Sequence, residues 1–149
     1  MIEPSRPEER SGARQGNRGG PTGSQRRRER GPARRTMIIP KPWGHELIWA
    51  KTDRYVGKIL HIKAGEALSL QYHRVKDETV MVLTGRLQLI YFAEGEPPHS
   101  RDLLPREPFH IAPGMRHRMI AIEDTEVLEV STSELDDVVR LEDRYGRVP

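Results

Sequence analysis

Short apolar stretches that repeat with a period of two constrain the fold of this chain most. Val80 and Val82 share one face of an extended segment, and so do Leu128 and Val130. Strands are therefore predicted near 46–51, 55–63, 67–73, 79–84, 86–92, 108–111, 117–122 and 126–132. Since these strands follow one another without a long amphipathic helix, we expect an all-β fold, either a sandwich or a barrel.

Helical structure is expected only near the end of the chain. Residues 137–143 favour one short helix, and nothing in the sequence alternates strand with helix as a doubly wound fold requires. A barrel of this size can line one pocket at its mouth. The segment 37–51 is a candidate edge of a sheet, and an unpaired edge is prone to associate with another chain.

The first 36 residues differ in composition from the rest. They carry ten Arg and four Glu, with no aromatic residue. Such a segment buries too little apolar surface to offset its ordering entropy, so 1–36 is predicted to be a disordered basic arm and 37–149 the folded domain. A role in nucleic-acid binding is not expected, because the arm has no aromatic side chain for base stacking. Met37 opens the first apolar stretch and is an alternative natural start.

Composition excludes several other classes of protein. The chain has no Cys, so disulfides, thiolate zinc sites and cysteine nucleophiles are excluded. No run of 18 apolar residues predicts a membrane span, and the N-terminus has no apolar core typical of a signal peptide. We therefore expect a soluble cytoplasmic protein with no membrane partner.

One stretch and one later histidine carry the candidate chemistry. Gln71 and His73 are two residues apart, so both side chains leave a strand on the same face. The polar turn 74–77 allows the next strand to run back and to bring Glu78 near His73. A second hairpin across the barrel would place His117 opposite them. Two imidazoles, one carboxylate and one amide oxygen form a candidate site for a divalent cation.

Residue types alone leave the identity of the metal open. Imidazole suits Zn, Fe, Ni and Cu, and oxygen ligands also admit Mn. A divalent ion with one anionic ligand keeps a positive charge and can polarise a carbonyl or hydroxyl as a Lewis acid. A purely structural role for these histidines also stays open, because a histidine on a strand is more often a hydrogen-bonded structural residue than a ligand.

The spacing resembles the first motif of the cupin superfamily, G-x5-H-x-H-x3–4-E-x6-G. Gly65, His73, Glu78 and Gly85 are in register with it, and Gln71 stands at the first His position. The resemblance implies a single-domain cupin, which is a double-stranded β-helix or jelly-roll barrel. Cupins commonly dimerise by exchanging or aligning edge strands, so the resemblance, together with the candidate edge at 37–51, predicts a homodimer.

The second cupin motif, G-x5-P-x-G-x2-H-x3-N, is matched in part. Gly114 and His117 are in place, whereas Ala112 stands where Pro is usual and Ala121 where Asn is usual. The match places His117 at the position of the last cupin metal ligand.

The chain is most similar to the cupin domain of type II mannose-6-phosphate isomerases, which is often fused behind a GDP-mannose pyrophosphorylase. The signatures of that domain resemble 41–44, 53–55, 68–71 and 142–147. The resemblance therefore spans about 41–147. No pyrophosphorylase part is present in these residues, so we expect no nucleotidyl transfer from them.

The resemblance also implies a cofactor and a ligand set. Phosphomannose isomerases place Gln, His, Glu and His around zinc, which correspond here to Gln71, His73, Glu78 and His117. The implied cofactor is a divalent metal, with Zn first and Mn, Fe, Ni or Co as alternatives. The implied reaction is the aldose–ketose isomerisation of a sugar phosphate, in which the metal polarises the C1 and C2 oxygens.

Candidates for binding and catalysis follow from that reaction. A phosphate needs cations, and the basic residues near the motifs are Lys58, Lys76, Arg118 and Arg144. The candidate catalytic residues are Lys76 and His110, and His61 and Glu66 are further candidates for the general base.

The chain departs from the type II pattern, which usually reads Gln-x-His-His-His-Arg-x-Glu. Residues 71–78 lack two of these His and carry Lys76 at the Arg position. A non-catalytic metal-containing cupin that binds a sugar or another small molecule is therefore an alternative. A metal-dependent dioxygenase or epimerase is a third, which Gln71 disfavours because oxygenases usually keep more His ligands.

Overall fold

Two antiparallel β-sheets make up the part of the chain that the structure describes. The computed structural model describes residues 36–149. Its strands are β1 (Met37–Lys41), β2 (Gly44–Lys51), β3 (Val56–Ile62), β4 (Leu70–Tyr72), β5 (Glu78–Thr84), β6 (Leu87–Phe92), β7 (His99–Leu103), β8 (Pro108–Ile111), β9 (Arg116–Ala121), β10 (Thr125–Ser131) and β11 (Val139–Glu142).

The chain passes repeatedly from one sheet to the other. The first sheet has the order β1-β2-β3-β10-β5-β8, and the second has the order β11-β4-β9-β6-β7. From β3 onward most successive strands lie in opposite sheets, which is the winding of a jelly roll. The predicted all-β fold, a double-stranded β-helix or jelly roll, is confirmed.

Alternation along the strands builds the core between the sheets. In β6, Leu87 and Leu89 are buried and alternate with partly exposed residues. In β3, the same period buries Leu60 and Ile62 but also Lys58. The stretches with Val80 and Val82 and with Leu87 and Leu89 therefore face the core as predicted, and β3 carries a charge on its core face. Leu128 and Val130 instead lie on the outer face of β10, where Val130 is 45% exposed.

The strands that the sequence analysis missed lie at the edges of the sheets. β1 is an edge strand of the first sheet, in agreement with the prediction that 37–51 contains an edge. β7 is an edge strand of the second sheet, and its sequence, His-Ser-Arg-Asp-Leu, is mostly polar and exposed. An edge strand with little apolar surface gives no period-two signal, which is why β7 was not predicted.

The helix predicted for 137–143 is wrong. Residues Val139–Glu142 form β11, which pairs antiparallel with β4. Four residues that alternate apolar and charged side chains favour an edge strand, and pairing with β4 outweighs their weak helical signal. Residues 36–149 contain no helix, and hence none that is long and apolar enough to span a membrane. The predicted disordered arm, 1–36, lies outside the described residues except for its last residue.

Gly44 allows β2 to approach β3 closely. Its φ is +148°, and a Cβ at this position would lie 1.9 Å from the carbonyl oxygen of His61. The tight turn before it buries Trp43 in the core, where only 2% of the residue is exposed. A side chain at position 44 would therefore force the β2 and β3 backbones apart.

We predict that Gly44→Ala destabilises the domain more than Gly65→Ala does. Gly65 has φ +80°, and its Cβ would meet no atom within 4 Å, so that variant carries only backbone strain of about 1–2 kcal/mol. Urea unfolding of the two variants measures the difference. Equal losses of stability would contradict the close approach of β2 to β3 at Gly44.

Candidate metal centre

Two imidazoles and one carboxylate converge between the sheets. Glu78 is the first residue of β5, His73 follows β4, and His117 is the second residue of β9. The Nε2 atoms of His73 and His117 lie 3.1 and 3.5 Å from Oε1 of Glu78. One ligand atom from each residue lies within 4.8 Å of the others, and all three residues are buried.

Strand pairing accounts for this convergence. β4 and β9 are neighbours in the second sheet, and Gln71 stands opposite His117 in their register. Residues that are directly opposite point to the same face, so Gln71 lies beside His117, and His73 lies two residues further along the same face. Gln71 lines the cavity described below, and its Oε1 accepts a hydrogen bond of 2.6 Å from the Ser69 hydroxyl.

Backbone carbonyls orient both imidazole rings. Nδ1 of His117 donates to the Met115 carbonyl oxygen at 3.0 Å, and Nδ1 of His73 donates to the Asp137 carbonyl oxygen. Each Nε2 therefore faces Glu78. Such hydrogen bonds fix the tautomer and orientation of metal-ligating histidines.

The donor set fits a cation better than it fits hydrogen bonds alone. Nε2 of His117 is buried and has no hydrogen-bond partner among residues 36–149. A buried nitrogen without a partner is costly unless a ligand satisfies it. Burial lowers the pKa of His117 despite the attraction of the Glu78 carboxylate, so this imidazole is neutral at pH 7 and its nitrogen can donate a lone pair.

Glu78 stays charged in spite of its burial. Burial alone would raise the pKa of this carboxyl, but the contact with the His73 ring and the positive charge of Lys76 bring the pKa well below its usual range. The carboxylate is therefore available as an anionic ligand across the physiological pH range.

A single carboxylate holds the loop that carries His73. Asp137 Oδ1 accepts the backbone N–H of Arg74 at 3.0 Å, and Oδ2 accepts those of Val75 at 2.7 Å and Lys76 at 2.8 Å. These three hydrogen bonds lower the pKa of Asp137 to about 2. The Asp137 carbonyl also holds the His73 ring, so this residue fixes both the loop and the imidazole.

A row of buried charges extends from Glu78 across the inner face of the first sheet. The ammonium of Lys76 donates to Glu78 Oε2 and, at 2.8 Å, to Glu129 Oε1. Lys58 Nζ lies 3.8 Å from Glu129 and 3.4 Å from Glu46. Acidic and basic groups thus alternate along the row, and each buried charge has a partner of opposite sign.

The charges of this row shift the pKa values of Glu129 and Lys76. Burial and the neighbouring Glu78 raise the pKa of Glu129 above its usual value, although Lys76 and Lys58 oppose this. Burial lowers the pKa of Lys76, but the charges of Glu129 and Glu78 outweigh it and raise the pKa overall. Lys76 is therefore a hydrogen-bond donor rather than a base at neutral pH.

The cluster opens into a polar cavity of about 220 Å³. Its wall includes nine acidic or basic residues, drawn from both sheets, and eight apolar side chains. The charged residues that line it are Lys41, Glu46, Lys58, Lys76, Glu78, Glu129, Asp136, Arg140 and Arg147. A cavity with this lining suits a small, highly polar ligand rather than an apolar one.

The cavity contains some of the predicted substrate-binding residues and not others. Lys58 and Lys76 line it, as expected from their positions next to the motif. Arg118 and Arg144 do not line it: Arg118 binds Glu142, and Arg144 donates to the Gly65 carbonyl oxygen.

Among the candidates for the general base, Lys76 alone lines this cavity. His61 stacks on His45, with ring centroids 5.0 Å apart, on the face of β3 opposite Lys58. Glu66 accepts a hydrogen bond from the Tyr145 hydroxyl. His110 pairs with Asp77 at 2.6 Å on the outer face of its sheet, where 60% of its side chain is exposed.

Three residues near the cluster were not found by sequence reasoning. Glu129 had a detectable signal, because it lies between Val127 and Ser131 on the buried face of β10. Asp137 and Arg140 had none, since the segment that contains them was predicted to be helical. Only the pairing of β11 with β4 brings Arg140 to the cavity wall.

Comparison with known proteins points to one family. The sequence model described as "Mannose-6-phosphate isomerase C-terminal" matches residues 29–143. The mannose-1-phosphate guanylyltransferase ManC of Salmonella typhimurium is 34% identical over 115 residues, which cover 74% of this chain and 23% of that protein. The chain thus spans about a quarter of the length of this curated relative.

Solved structures support the fold alone. Oxalate decarboxylase from Bacillus subtilis superposes with a TM-score of 0.64 at 14% identity, over 76% of this chain and 32% of that one. KdgF from Halomonas sp. superposes with a TM-score of 0.58 at 22% identity, over 68% of this chain and 91% of that one. The predicted cupin fold is confirmed.

We predict that Asp137→Asn lowers the melting temperature at pH 6 but has little effect near pH 2. The folded pKa of Asp137, about 2, lies below its ordinary value of 3.8. The stabilisation is therefore complete above the ordinary value and is lost as the pH falls through the folded value. Thermal unfolding across this range measures the difference between variant and wild type.

Asp136→Asn is the matched control, because the Asp136 carboxylate forms no hydrogen bond or ion pair in the described part of the chain. Its effect on the melting temperature is expected to be small at both pH values. A loss in Asp137→Asn that persists unchanged at pH 2 would contradict the role of the charged carboxylate.

Proposed function

Because the chain belongs to the mannose-6-phosphate isomerase C-terminal family, we propose that it interconverts an aldose phosphate and a ketose phosphate with the help of a divalent metal. The observation that carries the proposal is the convergence of His73, Glu78 and His117, of which His73 and Glu78 line a polar cavity. Sugar phosphates are small and highly polar, which suits this lining.

The proposed metal ligands are His73, Glu78 and His117, with Gln71 as a fourth. The three buried residues supply two imidazole nitrogens and one carboxylate oxygen. Zinc accepts nitrogen and oxygen ligands in a four-coordinate geometry, so it is the first choice, and Mn, Fe, Ni and Co are alternatives. Gln71 requires a rotation away from Ser69 or a shared oxygen to take part.

The bound cation would polarise the C1 and C2 oxygens of the sugar and stabilise negative charge on them. The chain itself must hold the substrate and move a proton between C1 and C2. Outside the cluster, carboxylates of Glu46, Glu129 and Asp136 line the cavity and can accept that proton. The ammonium of Lys76 faces Glu78 and Glu129 and donates hydrogen bonds.

One observation favours the non-catalytic alternative, a metal-containing cupin that binds a sugar or another small molecule. Lys76 occupies the position where type II isomerases usually carry Arg, and its ammonium is held between two buried carboxylates. A lysine held in this way has less freedom to bind a phosphate than a planar guanidinium would have.

We also propose that the protein is a cytoplasmic homodimer that associates through β1. This strand is an edge of the first sheet, and Met37 and Ile38 on it are 52% and 61% exposed. Pairing of two such edges would cover these apolar side chains and the free backbone groups.

We predict that purified protein binds one zinc ion per chain and that His117→Ala and Glu78→Gln weaken binding more than about 100-fold. Each variant removes one of the three convergent ligands. Metal analysis and isothermal titration calorimetry measure the change. His110→Ala is the matched control, because His110 lies on the outer face of its sheet.

Retention of zinc by both ligand variants would contradict the site. Loss of zinc from the His110→Ala control as well would indicate that metal uptake does not depend on this cluster.

We predict that the metal-loaded protein converts mannose 6-phosphate to fructose 6-phosphate and that Glu78→Ala abolishes this activity. Glu78 is the only carboxylate of the described cluster, so its loss removes the anionic ligand. A coupled assay of fructose 6-phosphate formation measures turnover. His61→Ala, which alters a residue outside the cavity, is expected to keep the activity of the wild type.

Binding of mannose 6-phosphate without turnover by metal-loaded protein would overturn the isomerase proposal. That result would favour the non-catalytic alternative.

A further inference from the structure

We propose that Arg140 is the anion-binding residue of this cavity and that it holds the phosphate of the ligand. This inference rests on the proposed function of the same site and adds to it a residue that recognises the charged end of the substrate. Arg140 lies on β11 and lines the cavity.

Strand register places Arg140 in one row with the cluster. It stands opposite Gln71 in the pairing of β11 with β4, and Gln71 stands opposite His117 in the pairing of β4 with β9. Residues in such a row point to the same face. Two strand spacings separate the backbone of Arg140 from that of His117, or about 10 Å.

The guanidinium of Arg140 has no hydrogen-bond or ion-pair partner in the part of the chain that the structure describes. Its Nε is buried and forms no hydrogen bond among residues 36–149, and no described carboxylate forms an ion pair with it. Asp136 lines the same cavity but is not paired with it. A buried donor without a partner is costly, and a ligand in the cavity can satisfy it.

The other basic residues of the cavity wall are already neutralised. Lys58 and Lys76 contact buried carboxylates, and Lys41 lies 3.4 Å from Glu46. Arg147 forms two hydrogen bonds with Asp143, at 2.9 and 2.7 Å. Among the described residues that line the cavity, Arg140 is therefore the cation that a new anion can bind without breaking an ion pair.

The position of Arg140 indicates the shape of the ligand. A guanidinium offers a planar pair of donors that matches two oxygens of a phosphate. The metal cluster lies further along the same row and suits hydroxyl or carbonyl oxygens. The ligand is therefore a short polyol or sugar with a phosphate at the end remote from the oxygens that approach the metal.

Calorimetric titration of the zinc-loaded protein with mannose 6-phosphate tests the proposal. Arg140→Gln should weaken binding about 10- to 100-fold, and Arg140→Lys should weaken it less. Titration with mannose, which has no phosphate, should show no difference between wild type and Arg140→Gln. Arg144→Gln is the matched control, because Arg144 donates to a backbone carbonyl outside the cavity.

Nuclear magnetic resonance of the wild type supplies a readout that does not depend on the affinity of a variant. The Nε–Hε signal of Arg140, assigned by its absence in Arg140→Lys, should shift on titration with inorganic phosphate and with mannose 6-phosphate. No shift with either probe would overturn the proposal, and so would equal affinity of wild type and Arg140→Gln for mannose 6-phosphate.

These outcomes are distinct from those that test the isomerase activity. Normal turnover together with unchanged phosphate-ester binding in Arg140→Gln would overturn the role of Arg140 and leave the proposed function intact. Absence of turnover together with binding that depends on Arg140 would overturn the isomerase and support the role of Arg140.

Discussion

The buried negative charge of Glu78 is the constraint on which the rest of the site depends. An isolated carboxylate inside a protein is unstable unless positive or polar groups compensate it. Here Lys76 and two imidazoles surround it, and the desolvation cost is offset by these contacts. A divalent cation placed among the same groups would compensate the carboxylate more completely than they do.

The charge row of the first sheet extends this constraint beyond the cluster. Lys76 links Glu78 to Glu129, and Lys58 links Glu129 to Glu46. Removal of one partner from such a buried pair costs about 3–5 kcal/mol, because the other charge is left unpaired. This part of the inner face of the first sheet therefore lines a polar cavity, whereas Leu60, Ile62 and their neighbours on the same face belong to the apolar core.

Most of the fold could be predicted from the sequence, because its core strands alternate buried and exposed residues. The period of two in Leu87 and Leu89 is visible without any structure. The polar edge strand β7 has no such period, and β11 was predicted to be a helix. Both strands are fixed by pairing with neighbours that are distant in sequence, and a local pattern does not contain that information.

The three convergent residues of the candidate site could be predicted from the sequence, but the arginine that lines the cavity could not. The spacing of His73 and Glu78, together with a later His117, identified the three residues that converge. Arg118 and Arg144 were expected near the ligand because they are close to the motifs in sequence, yet neither lines the cavity. The register of β11 brings Arg140 there instead, and that register follows from tertiary structure.

The most direct test of the account is a crystal structure of zinc-soaked protein with anomalous data collected at the zinc absorption edge. We expect one strong peak about 2.1 Å from Nε2 of His73, Nε2 of His117 and an oxygen of Glu78. Absence of a peak between these three side chains, or a peak held by other residues, would contradict the central claim.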